Sequence, residues 1–216
     1  MKKAAWMVLS MALGGCAAMK PTYQTESSFV IYDVRPAGID RTQLLDAVQA
    51  AVQKSASKAR VMRDIPPATL PETPGRFELK DSFANSNLGA LMAAQGQAMR
   101  VPTCQNALMT IASDDTSMAG YGEKTTFFLC LLPYREGYHI DIYATFTRAS
   151  GGFSPEALAS VTVRSMTGDS SQIIPRTMMD IRKAAESVGA QVTVVDRYIP
   201  ESFKGLFIDQ TVAAGR

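Results

Sequence analysis

The stretch Thr125-Thr126-Phe127-Phe128-Leu129-Cys130-Leu131-Leu132-Pro133-Tyr134-Arg135-Glu136-Gly137-Tyr138-His139-Ile140-Asp141-Ile142-Tyr143-Ala144-Thr145-Phe146-Thr147 decides the fold. Thr125 to Leu132 is a continuous apolar run, which predicts a strand central in its sheet. Pro133 to Gly137 is predicted to turn the chain. Tyr138 to Thr147 then alternates. Tyr138, Ile140, Ile142, Ala144 and Phe146 share one face, and His139, Asp141, Tyr143, Thr145 and Thr147 share the other. The pair reads as an antiparallel hairpin with one face on the core.

Working outward, Ala107 to Ser113 is predicted as a strand, followed by a polar, Gly-containing loop from Asp114 to Glu123. Phe29-Val30-Ile31-Tyr32-Asp33-Val34 is a β-branched and aromatic run, hence a strand, ended by Pro36 and Gly38. Asp40 stands as an N-cap with Gln43 three residues on. Leu44, Leu45, Val48, Ala51 and Val52 fall at helical spacing, predicting a helix from about Arg41 to Ser57. Arg60 to Ile65 is a second strand. This piece reads either as a β-α-β unit or as two antiparallel strands flanking a helix. A Pro-rich connector covers 66–75, and Arg76 to Lys80 follows as a short strand.

Asn85 to Arg100 places Leu88, Leu91, Met92, Gln95 and Met99 at helical offsets. Gly89 and Gly96 weaken that helix by about 1 kcal/mol each, and Pro102 stops it. Past the hairpin, Ser154-Pro155-Glu156 starts a helix. A second helix begins near Pro175, with Met178, Ile181, Ala185 and Val188 as its stripe and Gly189 at its end. Gln191 to Val195 is a strand, and Leu206 to Val212 a last edge strand. Val61 to Pro66 and Val195 to Pro200 both end a strand at Ile-Pro after a helix, an echo too short to indicate duplication. The whole reads as an α+β fold: a single domain over 29–212, mainly antiparallel sheet with two to four helices packed on it. Residues 213–216 form a tail.

The N-terminus carries a different signal. Lys2 and Lys3 form a short positive region, and Ala4 to Leu13 is apolar apart from Ser10. Ten helical residues rise about 15 Å, half of a hydrocarbon core of about 30 Å, so the run is too short to span and fits a signal-peptide core. It ends at Leu13-Gly14-Gly15-Cys16. That tetrapeptide resembles the lipobox of bacterial lipoproteins, in which an aliphatic residue and two small residues precede a cysteine. The resemblance covers about the first 16 residues. It implies a signal peptide over 1–15, cleavage before Cys16, and acylation of Cys16 on its sulfur and its new amine. At about 0.8 kcal/mol per buried CH₂, several acyl chains hold a protein on a membrane almost permanently. The bland alternative is an ordinary signal peptide cut after Ala17 or Ala18, with Cys16 a bystander. Ala17 lacks the acidic side chain that favours inner-membrane retention in the enterobacterial sorting rule, so the resemblance implies the outer membrane, facing the periplasm. Residues 16–28 lack apolar periodicity and are expected to form the lipidated cysteine and a flexible tether.

This leaves Cys104 and Cys130, 26 positions apart. An even pair in an oxidising compartment reads as a disulfide, worth about 3 kcal/mol by loop closure. A redox pair favours closer spacing, and a metal site needs more ligands than the single histidine supplies; a buried free thiol at Cys130 is the remaining alternative.

Charge excludes further classes. The chain has 22 Lys+Arg against 20 Asp+Glu. Residues 1–15 hold Lys2, Lys3 and no acid, so the rest is formally neutral, with no basic field for nucleic acid. No constellation for catalysis stands out. His139 and Asp141 share a strand face, but no Ser or Cys sits in a tight nucleophile turn, and a solvated surface histidine is the expectation. Gly120-Tyr121-Gly122-Glu123-Lys124-Thr125 fails as a phosphate loop, because an acid precedes the lysine and a strand follows. Asp114-Asp115 reads as a turn. The twelve methionines read as core filler rather than a copper site, and no cofactor or metal is expected. The expected role is therefore non-enzymatic: binding, assembly or envelope maintenance through an envelope protein partner. Leu88, Leu91, Met92 and Met99 form the candidate partner surface. The alternative is a periplasmic cell-envelope hydrolase with an unrecognised carboxylate site.

Overall fold

A computed structural model of the chain describes residues 22–36, 38–56, 58–81, 87, 100–150, 170–201 and 203. Its frame is a six-stranded antiparallel sheet built from β1 (Thr22–Arg35), β2 (Arg60–Arg63), β5 (Met109–Asp115), β6 (Glu123–Tyr134), β7 (Gly137–Ser150) and β8 (Gln191–Tyr198). The strand order is β2-β5-β6-β7-β1-β8. Two helices, α1 (Arg41–Ser55) and α2 (Ile173–Ser187), pack on one face, and β3 (Glu78–Asp81) pairs with β4 (Arg100–Thr103) in a separate two-stranded sheet. The α+β reading with a mainly antiparallel sheet in one domain holds. The strands before and after α1 are not neighbours: β2 lies at the far edge of the sheet with β5, β6 and β7 between it and β1, and the four antiparallel steps leave the two strands parallel, joined through α1, rather than antiparallel.

The alternation of β7 places its apolar set in register with those of its neighbours. Ile140 faces Tyr32 on β1 and Leu131 on β6, and Ile142 faces Val30 and Leu129. Met109 and Ile111 continue the row on β5. All are buried, and they meet Leu44, Leu45, Val48 and Val52 of α1 and Ile174, Met178, Ile181 and Ala185 of α2. The Asp40 carboxylate accepts from the backbone N–H of Gln43 at 3.1 Å, capping α1 where its sequence signature falls. After α2, Gly189 adopts φ 92°, a left-handed conformation that glycine enters without a Cβ clash, and the chain turns into β8.

Several boundaries differ from expectation: β5 runs on through Asp114 and Asp115, a pair expected in a turn, and two other differences have a clear physical reason. The hairpin turn is two residues, Arg135 and Glu136, and Pro133 lies inside β6 opposite Tyr138. In such a hairpin Tyr134 and Gly137 exchange the closing bonds, so position 133 points its nitrogen away from β7. The β5 pairing has already ended at Leu131, so the missing N–H leaves no ladder bond unmade there. A Cβ on Gly137 would stand 2.2 Å from the Val34 carbonyl oxygen, so the turn needs glycine for close approach. The second difference is the tether. β1 begins at Thr22, and Thr22 to Ser28 pair with Ser150 to Ala144 of β7. The polar run offers no apolar pattern because its first four side chains are exposed, yet its backbone completes the ladder. Any flexible tether after Cys16 therefore ends before Thr22.

Candidate functional site

The chemically richest place is the face of the sheet opposite the helices. There Ile31 and Asp33 of β1, Cys130, Leu132 and Tyr134 of β6, and His139 and Asp141 of β7 are all buried. What covers them is the Pro-rich connector and the chain that follows. The Arg135 N–H donates to the Pro71 carbonyl at 3.0 Å, and the Arg135 guanidinium pairs with Glu72 at 2.9 Å. Gly75 lies against Leu132, Arg76 reaches Asp196 of β8 at 2.6 Å, and the Phe77 N–H donates to Asp141 Oδ2 at 2.7 Å. The Phe77 ring sits 5.7 Å from Phe29 and 5.6 Å from Tyr143. Cys104 and Cys130 form the expected disulfide, with a Cα–Cα distance of 6.4 Å, which ties this strap to the middle of β6. Ala107, Leu132 and Phe128 pack around it.

Beneath the strap lies a polar line. Asp33 accepts from Tyr134 Oη at 2.5 Å through one carboxylate oxygen and from Arg35 Nε at 2.6 Å through the other. His139 Nε2 stands 3.9 Å from Asp33, and its Nδ1 stands 3.9 Å from Asp141 Oδ1. Both Nδ1 and Oδ1 are buried and make no hydrogen bond. Burial pushes the Asp141 carboxyl up to about 6, against the lowering effect of the Phe77 N–H and Arg76. Burial lowers the pKa of His139, which Asp33 partly opposes. Burial and the hydrogen bond to Asp33 push the Tyr134 phenol up to about 12.

His139 is thus not a solvated surface residue. Its side chain is 8% exposed, that of Asp33 12% and that of Asp141 0%. The pairing of His139 with Asp141 was visible in the alternation of β7. Asp33 and Tyr134, joined by a hydrogen bond beside His139, carry no motif that marks them. The signal was present: β1 and β6 are apolar on both faces, which requires a second cover. The expected partner surface, Leu88, Leu91, Met92 and Met99, lies outside the described residues, as do Cys16 and residues 1–15. Among the described residues no group of three or more His, Cys, Asp or Glu could hold a metal ion, and no helix is long and apolar enough to cross a membrane.

No family model and no curated protein matches the chain. Among solved structures, the crystal structure of Ara h 8.0201 is similar at a TM-score of 0.24 and 10% identity, over 77% of this chain and 98% of that one. A likeness that distant bears on neither fold nor function.

Proposed function

We propose that this chain is a lipid-anchored extracytoplasmic protein, held on the outer membrane by acylated Cys16, whose domain works by binding an envelope partner. The observation that carries the reading is the Cys104–Cys130 disulfide. A structural disulfide suits an oxidising compartment, and with that pair joined Cys16 is the remaining cysteine, directly behind Leu13-Gly14-Gly15. The start of β1 adds a dimension. Only residues 17–21 separate Cys16 from Thr22, a reach of about 20 Å at full extension, so the anchor would hold the Thr22 end of the sheet close to the bilayer. The β6–β7 turn, at the other end of those strands, would point away.

A hydrolase would draw on the carboxylates nearest the single histidine. Those lie under the strap, where a substrate meets them only if the strap lifts, and this supports binding over chemistry. The anchor is tested with Cys16→Ser expressed in the native host. The variant is expected to leave the membrane fraction and to carry no acyl mass; retention of both would refute the reading.

A further inference from the structure

A cavity of about 100 Å³ opens between α2 and the β1–β8 edge of the sheet. Val30, Tyr32, Val194 and Met179 give it an apolar floor. The Tyr32 hydroxyl is already engaged, donating to the Met178 carbonyl at 3.1 Å, so the ring serves as wall. Arg182, Lys183, Arg197 and Glu186 make up the rest of the lining. Glu186 is committed to Arg182 Nε at 2.8 Å. Neither Lys183 nor Arg197 has a carboxylate partner among the described residues. A chain that is formally neutral beyond residue 15 thus gathers three cations against one carboxylate around one apolar recess.

We infer that this recess binds a carboxylate carried on a short branched aliphatic stem. The stem rests on Val30, Val194 and Met179, and the carboxylate lies between Lys183 and Arg197, whose guanidinium fork matches a carboxylate's two oxygens. Size sets the stem: a dry cavity of about 150 Å³ accepts a benzene ring, so this smaller one takes about four carbons. A free branched-chain acid and the C-terminus of a peptide ending in Leu present the same chemistry. The inference rests on the binding role proposed above but uses no property of Cys16, so its failure leaves the anchor untouched.

The test uses the full chain as purified from its host, kept in dodecyl maltoside micelles and labelled with ¹³C at the methionine methyls. The Met179 signal is assigned by Met179→Leu. The probes are isovalerate, N-acetylglycyl-leucine and the amide of the latter. A saturable shift of the Met179 methyl is expected with at least one acid, and the amide should bind at least tenfold more weakly. Arg197→Gln and Lys183→Gln, both at exposed positions, should each weaken the acid about tenfold while leaving the melting temperature unchanged. Whichever acid binds more tightly names the source. No saturable shift with either acid into the millimolar range, or equal affinity for acid and amide, or indifference to both substitutions, would overturn the site.

Discussion

On one face of the six-stranded sheet, Leu129, Leu131, Ile140 and Ile142 meet two helices in an unbroken apolar cluster. On the other face, one residue along the same strands, Cys130, His139 and Asp141 meet a strap held by a disulfide, a handful of hydrogen bonds and a few rings. The two faces are equally buried at the hairpin end but are held by different forces. The helix face draws on area removed from water, which is proportional and forgiving of direction. The strap face must satisfy specific polar atoms, and two of them, His139 Nδ1 and Asp141 Oδ1, go without a hydrogen bond. The helix face should therefore carry the stability, while the strap face should carry the pH response.

That division can be broken at several points. Ile140→Ala deletes a fully buried side chain from the middle of the helix face and should cost about 3–4 kcal/mol by denaturant titration, the largest single loss. The paired change Cys104→Ser and Cys130→Ser releases the strap and should cost about 3 kcal/mol. Its signature should be local: amide exchange should rise first at Phe77, whose N–H is held only by the Asp141 carboxylate, while Ile140, Asp141 and Leu129, paired inside the sheet, stay protected until global unfolding.

Asp141→Asn should act in the opposite sense. The native carboxyl titrates near 6, above its ordinary 3.8, so the folded chain binds the proton more tightly and stability falls as pH rises through that window. The penalty is present above about pH 6 and gone below about pH 4. An amide there still accepts from the Phe77 N–H and never ionises. The variant should be more stable than the parent by about 2 kcal/mol at pH 7.5 and equal to it at pH 4. His139 contributes with the other sign, because its lowered pKa means that stability is lost as pH falls below its ordinary 6.5. Smallest of all, Arg76→Ala on the strap and Arg63→Ala beside α1 remove half-exposed ion pairs and should each stay within about 1 kcal/mol. A strap-face loss from Arg76→Ala as large as that of Ile140→Ala would mean that the division is wrong.

The same contrast explains what could be read from the residues alone. Period-two alternation in β7, helical spacing in α1 and α2, the Asp40 cap and the Gly189 turn each depend on a few neighbours, and each was legible. The disulfide was legible because the parity of the cysteines and the compartment expected from the first sixteen residues, rather than geometry, point to it. The strap was not, since it is made from loop residues whose positions are set by contacts more than sixty residues away, as between Phe77 and Asp141. His139 looked solvated because a lone polar strand face ordinarily is. Only the two-sided apolar character of β1 and β6 argued otherwise. The first residues of β1 were hidden for a related reason: Thr22 to Thr25 contribute backbone pairing and no buried side chain.

One mass measurement reads the anchor and the disulfide together. The protein would be purified from its host, alkylated under denaturing, non-reducing conditions, and weighed intact. The expected species is a chain beginning at Cys16, heavier by its acyl groups, lighter by the two hydrogens lost on disulfide formation, and free of alkyl adducts. A chain without acyl mass, or one carrying adducts on Cys104 and Cys130, would contradict it.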